Sequence, residues 1–261
     1  MHFDYGTQLS PAPIKLSIGT LKKPKLLEIS ELGFDKFNMF EAFLKMTPEL
    51  FYTKIKGDEG KTYWESLSEQ KQEDISLYSL ILADESLQET YLSIFRFFFI
   101  EPVVFKEDMF ILLNDDVENV SELKADNVRG VIHEKIFLQT LDLIQQICCI
   151  AEKEQSIDEM KFKNKTARKL YEKMLKAKKN ERKKADINLS IPNIISSVSN
   201  KHPSINPINI WELTIFQLLD SFNRLQVNTM YEIDCTRVSV WGDEKKTFDA
   251  ALWYKNNYDT K

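Results

Sequence analysis

Residues 131–151 carry two adjacent apolar stripes, and no other feature of the chain constrains its fold as strongly. Ile132, Ile136, Leu143, Ile147 and Ile150 follow one line at helical spacing. Phe137, Leu141, Ile144, Cys148 and Ala151 follow the line beside it. Two neighbouring stripes make a wide apolar face, so the segment predicts a helix at the centre of a core. The 261 residues contain only seven Gly and eight Pro, which favours long helices over turn-dense β architecture. With 43% hydrophobic and 29% charged residues, the chain can form both a core and a hydrated surface.

Other segments extend this reading. Residues 1–12 read as a loose leader. Ile14, Leu16 and Ile18 alternate with polar neighbours, which predicts a strand. Residues 25–32 predict a short helix stopped by Gly33, and residues 35–45 a second one. Pro48 opens a further turn of helix, and residues 56–61 read as a loop. Residues 62–99 predict three helices broken near 72–74 and 84–86. Residues 103–105 and 109–113 flank Lys106, Glu107 and Asp108 and predict a hairpin with a three-residue loop. Beyond the central helix, a short helix opens near Ser190. Asn209, with Glu212 three residues on, has the spacing of a capping box for a helix over 209–225. Leu218, Leu219, Phe222 and Leu225 fall on one face of that helix. Another helix is predicted over 229–241, stopped by Gly242. The expected fold is mainly α: a helical body with a small N-terminal β element (a strand plus a hairpin) and a C-terminal helical unit. The expected organisation is a mostly helical domain over 1–153, a basic helical connector over 154–188, and a helical unit with an aromatic tail over 189–261.

Signatures of catalysis are missing from the sequence. His2, His133 and His202 are scattered, and none has a His or Cys at metal-ligand spacing. His133, beside Glu134, reads as a capping or partly buried histidine rather than a ligand. There is no glycine-rich phosphate loop and no G-x-S-x-G elbow. The paired acids Asp115 and Asp116 read as solvated charge. No cofactor, no metal and no enzymatic activity are therefore expected. Cys148 and Cys149 read as small buried hydrophobes in a reducing compartment. The N-terminus lacks the basic and apolar regions of a secretory signal. The apolar run over 94–100 is broken by Arg96 and is too short to span a bilayer. A cytosolic protein with no membrane partner is expected.

Two features suggest partners. From Lys161 to Lys184 there are 12 Lys or Arg against two acids, although the net charge of the whole chain is −5. The run reads as a solvated connector, a protein contact or a nucleic-acid patch. Phe162 and Tyr171 are its only aromatics, so the stacking platform that single strands need is poorly supplied, and nucleic acid is the less favoured partner. The tail over 248–258, with Phe248, Trp253 and Tyr254, reads either as core or as a short motif that docks on another chain.

Residues 21–37 and 209–225 together resemble tail-morphogenesis proteins of phages that infect Gram-positive bacteria, which are often assigned as tail assembly chaperones. The resemblance implies a non-enzymatic role in the host cytoplasm. Such a protein would bind the long helical tape-measure protein, keep it soluble and help recruit tail-tube subunits. A structural tail or baseplate component retained in the virion is the alternative, and a nucleic-acid-binding phage protein using residues 161–184 is another. Trp241, Phe248, Trp253 and Tyr254 are the candidate partner-binding residues, with Lys169, Lys173 and Lys176 adding charge. Self-association as a homo-oligomer remains open.

Overall fold

The computed structural model describes residues 2–114, 125–150, 187–244 and 246–255. The chain divides into two compact units. One comprises Met1–Ile150 with Glu212–Phe216, the other Ala151–Trp211 with Gln217–Lys261. The fold is mainly α with two small sheets, of two and three strands, among the described residues.

The first unit begins with a short helix, α1 (Tyr5–Leu9), where a loose leader was expected. Asp4 caps it by accepting from the Thr7 N–H at 2.7 Å. Phe3 is buried, and its N–H donates to Gln146 Oε1 at 2.8 Å. The buried Lys23 ammonium donates to the carbonyl oxygens of Thr7 and Ser10, which satisfies acceptors at the end of α1. The expected strand becomes a small hairpin, β1 (Ile14–Leu16) paired antiparallel with β2 (Gly19–Leu21). Next come α2 (Leu26–Leu32) and α3 (Phe34–Leu44), separated by Gly33 at φ 93°, where a glycine is needed.

Pro48 opens α4 (Pro48–Leu50), which continues as a π-helix over Phe51–Ile55. The loop expected over 56–61 is instead the start of α5 (Gly57–Ser66). Gly60 allows this, because a Cβ there would lie 2.4 Å from the Tyr52 carbonyl oxygen. Three more helices follow: α6 (Glu69–Asp74), α7 (Leu77–Ala83) and α8 (Glu85–Phe98). Asp84 makes the expected break before α8, accepting from the N–H groups of Ser86 and Leu87.

The second sheet orders β3 (Val103–Lys106), β4 (Met109–Leu113) and β5 (Val128–Ile132), all antiparallel. Glu107 and Asp108 both have positive φ, so the β3–β4 connection is a two-residue turn rather than the three-residue loop expected. The third strand overturns part of the helix expected over 131–151. Val131 and Ile132 pair with Ile111 and Phe110, and α9 begins only at Glu134 (Glu134–Ile147). β-branched residues suit a pleated sheet surface, and an available sheet edge outweighs weak helical periodicity at the segment's end. His133 caps α9 by accepting from the Lys135 N–H at 3.3 Å. Gly130 lies directly under the β1–β2 turn, where a Cβ would sit 2.1 Å from the Ile18 carbonyl oxygen.

The core is aromatic. Phe95 on α8 meets Phe110 on β4 at 4.8 Å between ring centroids, edge to face. Phe137 on α9 meets Tyr91 at 5.3 Å and Tyr78 at 5.2 Å. The buried hydroxyls find acceptors: Tyr78 donates to the Asp108 carbonyl at 2.7 Å, and Tyr91 to the Phe43 carbonyl at 2.9 Å. The central-helix expectation therefore holds for α9 from Phe137 onward.

At the end of α9, Cys148 is buried and Cys149 is exposed, so burial of both is corrected. Cys149 takes φ 55°, the left-handed turn that ends the helix and points its side chain outward. Burial pushes the Cys148 thiol well above its ordinary range.

The capping box expected at Asn209 and Glu212 does not form. Asn209 Oδ1 accepts instead from the Asn206 N–H at 2.8 Å, within a loop. Glu212 ends a single 3-10 turn (Ile210–Glu212) and pairs with the Lys25 ammonium. The Leu26 N–H donates to the Leu213 carbonyl at 2.8 Å, and Lys25 and Thr214 form an antiparallel bridge. The long helix therefore begins at Ile215, not Asn209.

Phe137→Ala should lower stability by roughly 3–5 kcal/mol in urea denaturation, through the cavity it leaves among four rings. Gly130→Ala should lower it by about 1–3 kcal/mol, through overpacking against Ile18. In native protein, iodoacetamide should label Cys149 well ahead of Cys148, read by peptide mass mapping; equal labelling would contradict the burial of Cys148.

Candidate protein-docking face

The second unit is built on two helices, α10 (Ile191–Lys201) and α11 (Ile215–Trp241), the latter from Gln217 onward. Ser190 and Pro192 start α10 as expected, since Pro in a first turn removes a donor that has no helical partner. Ile194, Ile195 and Val198 are buried. Lys201 Nζ donates to Thr229 Oγ1 on α11 at 2.7 Å, which sets the end of α10 beside the middle of α11. The two helices expected over 209–225 and 229–241 are continuous from Ile215 to Trp241, because nothing between Leu225 and Thr229 breaks a helix. Gly242, at φ 76°, supplies the expected stop.

After Gly242 the chain turns back along α11. The Asp243 carboxylate organises this reversal, accepting from the N–H groups of Thr247 and Phe248, each at 2.9 Å. These bonds, led by that from Phe248, hold the Asp243 carboxyl below its ordinary range. Phe248 then stacks on Tyr231 at 5.8 Å, and the Lys255 carbonyl accepts from Arg224 Nη1 at 2.9 Å. The tail thus covers one side of the helix.

The side left open carries a second apolar set. Met230, Ile233, Val240 and Trp241 are 61%, 62%, 65% and 77% exposed. With Arg237, they recur at steps of three and four along three turns. A groove of about 420 Å³ follows this face, lined by Thr229, Glu232, Ile233, Thr236, Arg237 and Trp241. Arg237 Nε is bonded to Asp234 Oδ1 at 3.1 Å, which holds the guanidinium at the edge of the stripe.

The sequence-derived residues fall in three places. Trp241 ends the open stripe. Phe248 is half-buried and stacks on Tyr231. Trp253 and Tyr254 are exposed and touch each other edge to face at 5.0 Å. The tail's return to Arg224 sets them toward the other end of α11, 17 residues or about 25 Å of helix from Trp241. They do not share one surface with Trp241. Lys169, Lys173, Lys176 and the acids Asp115 and Asp116 lie outside the described residues. Met230, Ile233 and Val240 escaped the sequence reading, although their three-and-four spacing was available from residue 230 onward. Among the described residues no group of His, Cys, Asp and Glu could hold a metal ion, and no helix is long and apolar enough to cross a membrane. A surface of this kind can bury a partner's apolar face; it presents no nucleophile aligned with a base.

Asp243→Ala should release the tail, giving faster chymotryptic cleavage after Phe248 with unchanged helical circular dichroism. Because the Asp243 pKa is depressed, its contribution is complete above the ordinary Asp value of 3.8 and is lost as pH falls below it. Hydrogen exchange at the Thr247 and Phe248 amides should report that loss.

Residues 177–258, under a third of the chain, match the family model described as YomV second domain, which is phage-associated. Neither the curated proteins nor the solved structures give a match. The matched segment contains α10, the open stripe of α11 and the returning tail, so this part of the chain is similar to a phage-associated domain and is consistent with a phage protein.

Proposed function

We propose that the protein is a non-enzymatic tail assembly chaperone of a phage. It acts in the host cytoplasm, binds the tape-measure protein and helps recruit tail-tube subunits to it. The observation that carries this reading is the open apolar stripe of α11, placed within a segment similar to a phage-associated domain. A long helical protein with repeated apolar faces aggregates unless those faces are covered. A second helix with a groove beside an apolar stripe covers them by helix-on-helix packing. Trp241 is the central contact, because large aromatic side chains dominate such interfaces.

The test is co-expression with the tape-measure protein of the same phage, followed by affinity capture and light scattering. The expected result is a soluble complex that fails to form without this chain and loses at least tenfold in yield with Trp241→Asp. Trp241 is exposed, so the variant should retain wild-type circular dichroism and thermal midpoint. No complex, together with the chain's presence in purified virions, would instead support a structural tail or baseplate component.

A further inference from the structure

The stripe on α11 has a property that the chaperone reading does not require. We propose that it is also a self-association face, on which two copies of this chain pair antiparallel and weakly.

Met230, Ile233, Arg237 and Val240 are spaced by three, four and three residues. That is the narrow seam of a two-helix coiled coil rather than the broad face of a helix packed on a core. The stripe is also complementary to itself. Under a two-fold axis at Cys235, Met230 of one copy lies opposite Val240 of the other, with Trp241 beside it. Ile233 lies opposite the aliphatic part of the Arg237 side chain. Asp234 of each copy comes level with Arg237 of the other, to within one residue, or about 1.5 Å of helix rise. The ion pair now made within one helix, at 3.1 Å, can therefore be shared across the axis as a four-charge cluster. A parallel pairing has no such arrangement, since it sets Arg237 against Arg237. Antiparallel helices also oppose their macrodipoles, and no basic residue in the last turn of α11 offsets its negative end. Cys235 itself points away from the seam.

The size of the seam sets its strength. From Met230 to Trp241 it covers about 16 Å of helix. A stable interface buries about 800 Å² per partner, and three turns of one helix fall short of that. The pairing is accordingly weak, dependent on concentration and exchangeable for another helix.

Two experiments on the full chain test this. Light scattering over a dilution series should show the mass rising from 30.6 kDa toward twice that value as concentration increases. Trp241→Asp should abolish the rise while circular dichroism stays unchanged. For orientation, Met230→Cys and Val240→Cys are made separately in a chain that also carries Cys149→Ser and Cys235→Ser. Mild oxidation of the mixed variants should give a cross-linked dimer, whereas either variant alone should give at least tenfold less. A mass constant at 30.6 kDa at every concentration, or a dimer untouched by Trp241→Asp, would overturn the proposal. So would cross-linking within a single variant, which reports parallel pairing. These outcomes are separable from the chaperone test: a monomer that still solubilises the tape-measure protein refutes only self-association, and a dimer that does not solubilise it refutes only the chaperone reading.

Discussion

The N-terminal end of a helix carries N–H groups that no carbonyl within the helix can reach, and α2 meets this requirement with a distant part of the chain. The Lys25 N–H is taken up locally by the Glu28 carboxylate at 2.8 Å. The Leu26 N–H is taken up by the Leu213 carbonyl, and Leu26 is fully buried at this point, so no water can replace that acceptor. Residues 213 and 214 must therefore run extended beside Lys25 and cannot enter a helix. Thr214, Ile215 and Phe216 are buried as a consequence, and Tyr5 approaches Phe216 at 6.0 Å. The start of α11 at Ile215 follows from this constraint. Residue 209 has a good cap and a well-spaced glutamate, yet local capping of about 1 kcal/mol does not outweigh a buried long-range bond.

That joint explains which parts of the fold were legible in the sequence. Periodicity identified α3, α8 and α9 because each buries a face that repeats within a few residues. Gly33 and Gly242 marked stops because their positive φ is a local property. Glu212 gave the opposite result: its partner Lys25 is 187 residues away, and no local pattern announces such a pair. β5 was hidden for the same reason. Ile132 continues the apolar line of α9, and only the edge of β4 shows that it belongs with Val131 to a sheet. The helical glycine Gly60 resembled a loop signal until Tyr52 supplied the backbone that needs its missing Cβ.

The candidate face was legible in part. Trp241 stood out as a large aromatic next to a glycine stop. Its neighbours on the stripe did not stand out, because Met230, Ile233 and Val240 look like core residues by type. Exposure, not identity, makes them a surface. It depends on which side of α11 the tail covers, and the Asp243 turn and the Tyr231–Phe248 stack decide that. Sequence reasoning named Trp241, at the end of a helix, and Trp253 and Tyr254, in the tail, together as candidate partner contacts. The reversal at Gly242 separates them, because ten residues of returning chain carry the last two back toward Arg224.

The proposed client binding and the proposed self-pairing would have a common physical basis on one stripe. An exposed apolar face on a helix is a hazard in proportion to its area, and a protein that keeps one for a client must shield it in the meantime. A partner bound too tightly would defeat the purpose, because the client would have to overcome that affinity before gaining any of its own. If the face is half occupied by a second copy, the client's apparent affinity falls only about twofold; at 99% occupancy it falls about a hundredfold. A three-turn seam lies on the favourable side of that range. It is long enough for like faces to meet and for Asp234 and Arg237 to set the register. It is also short enough that the proposed client, if it offered a longer apolar face, would gain more contact than a second copy can. The stripe's limited length, more than its composition, is what makes it suitable for a temporary partner.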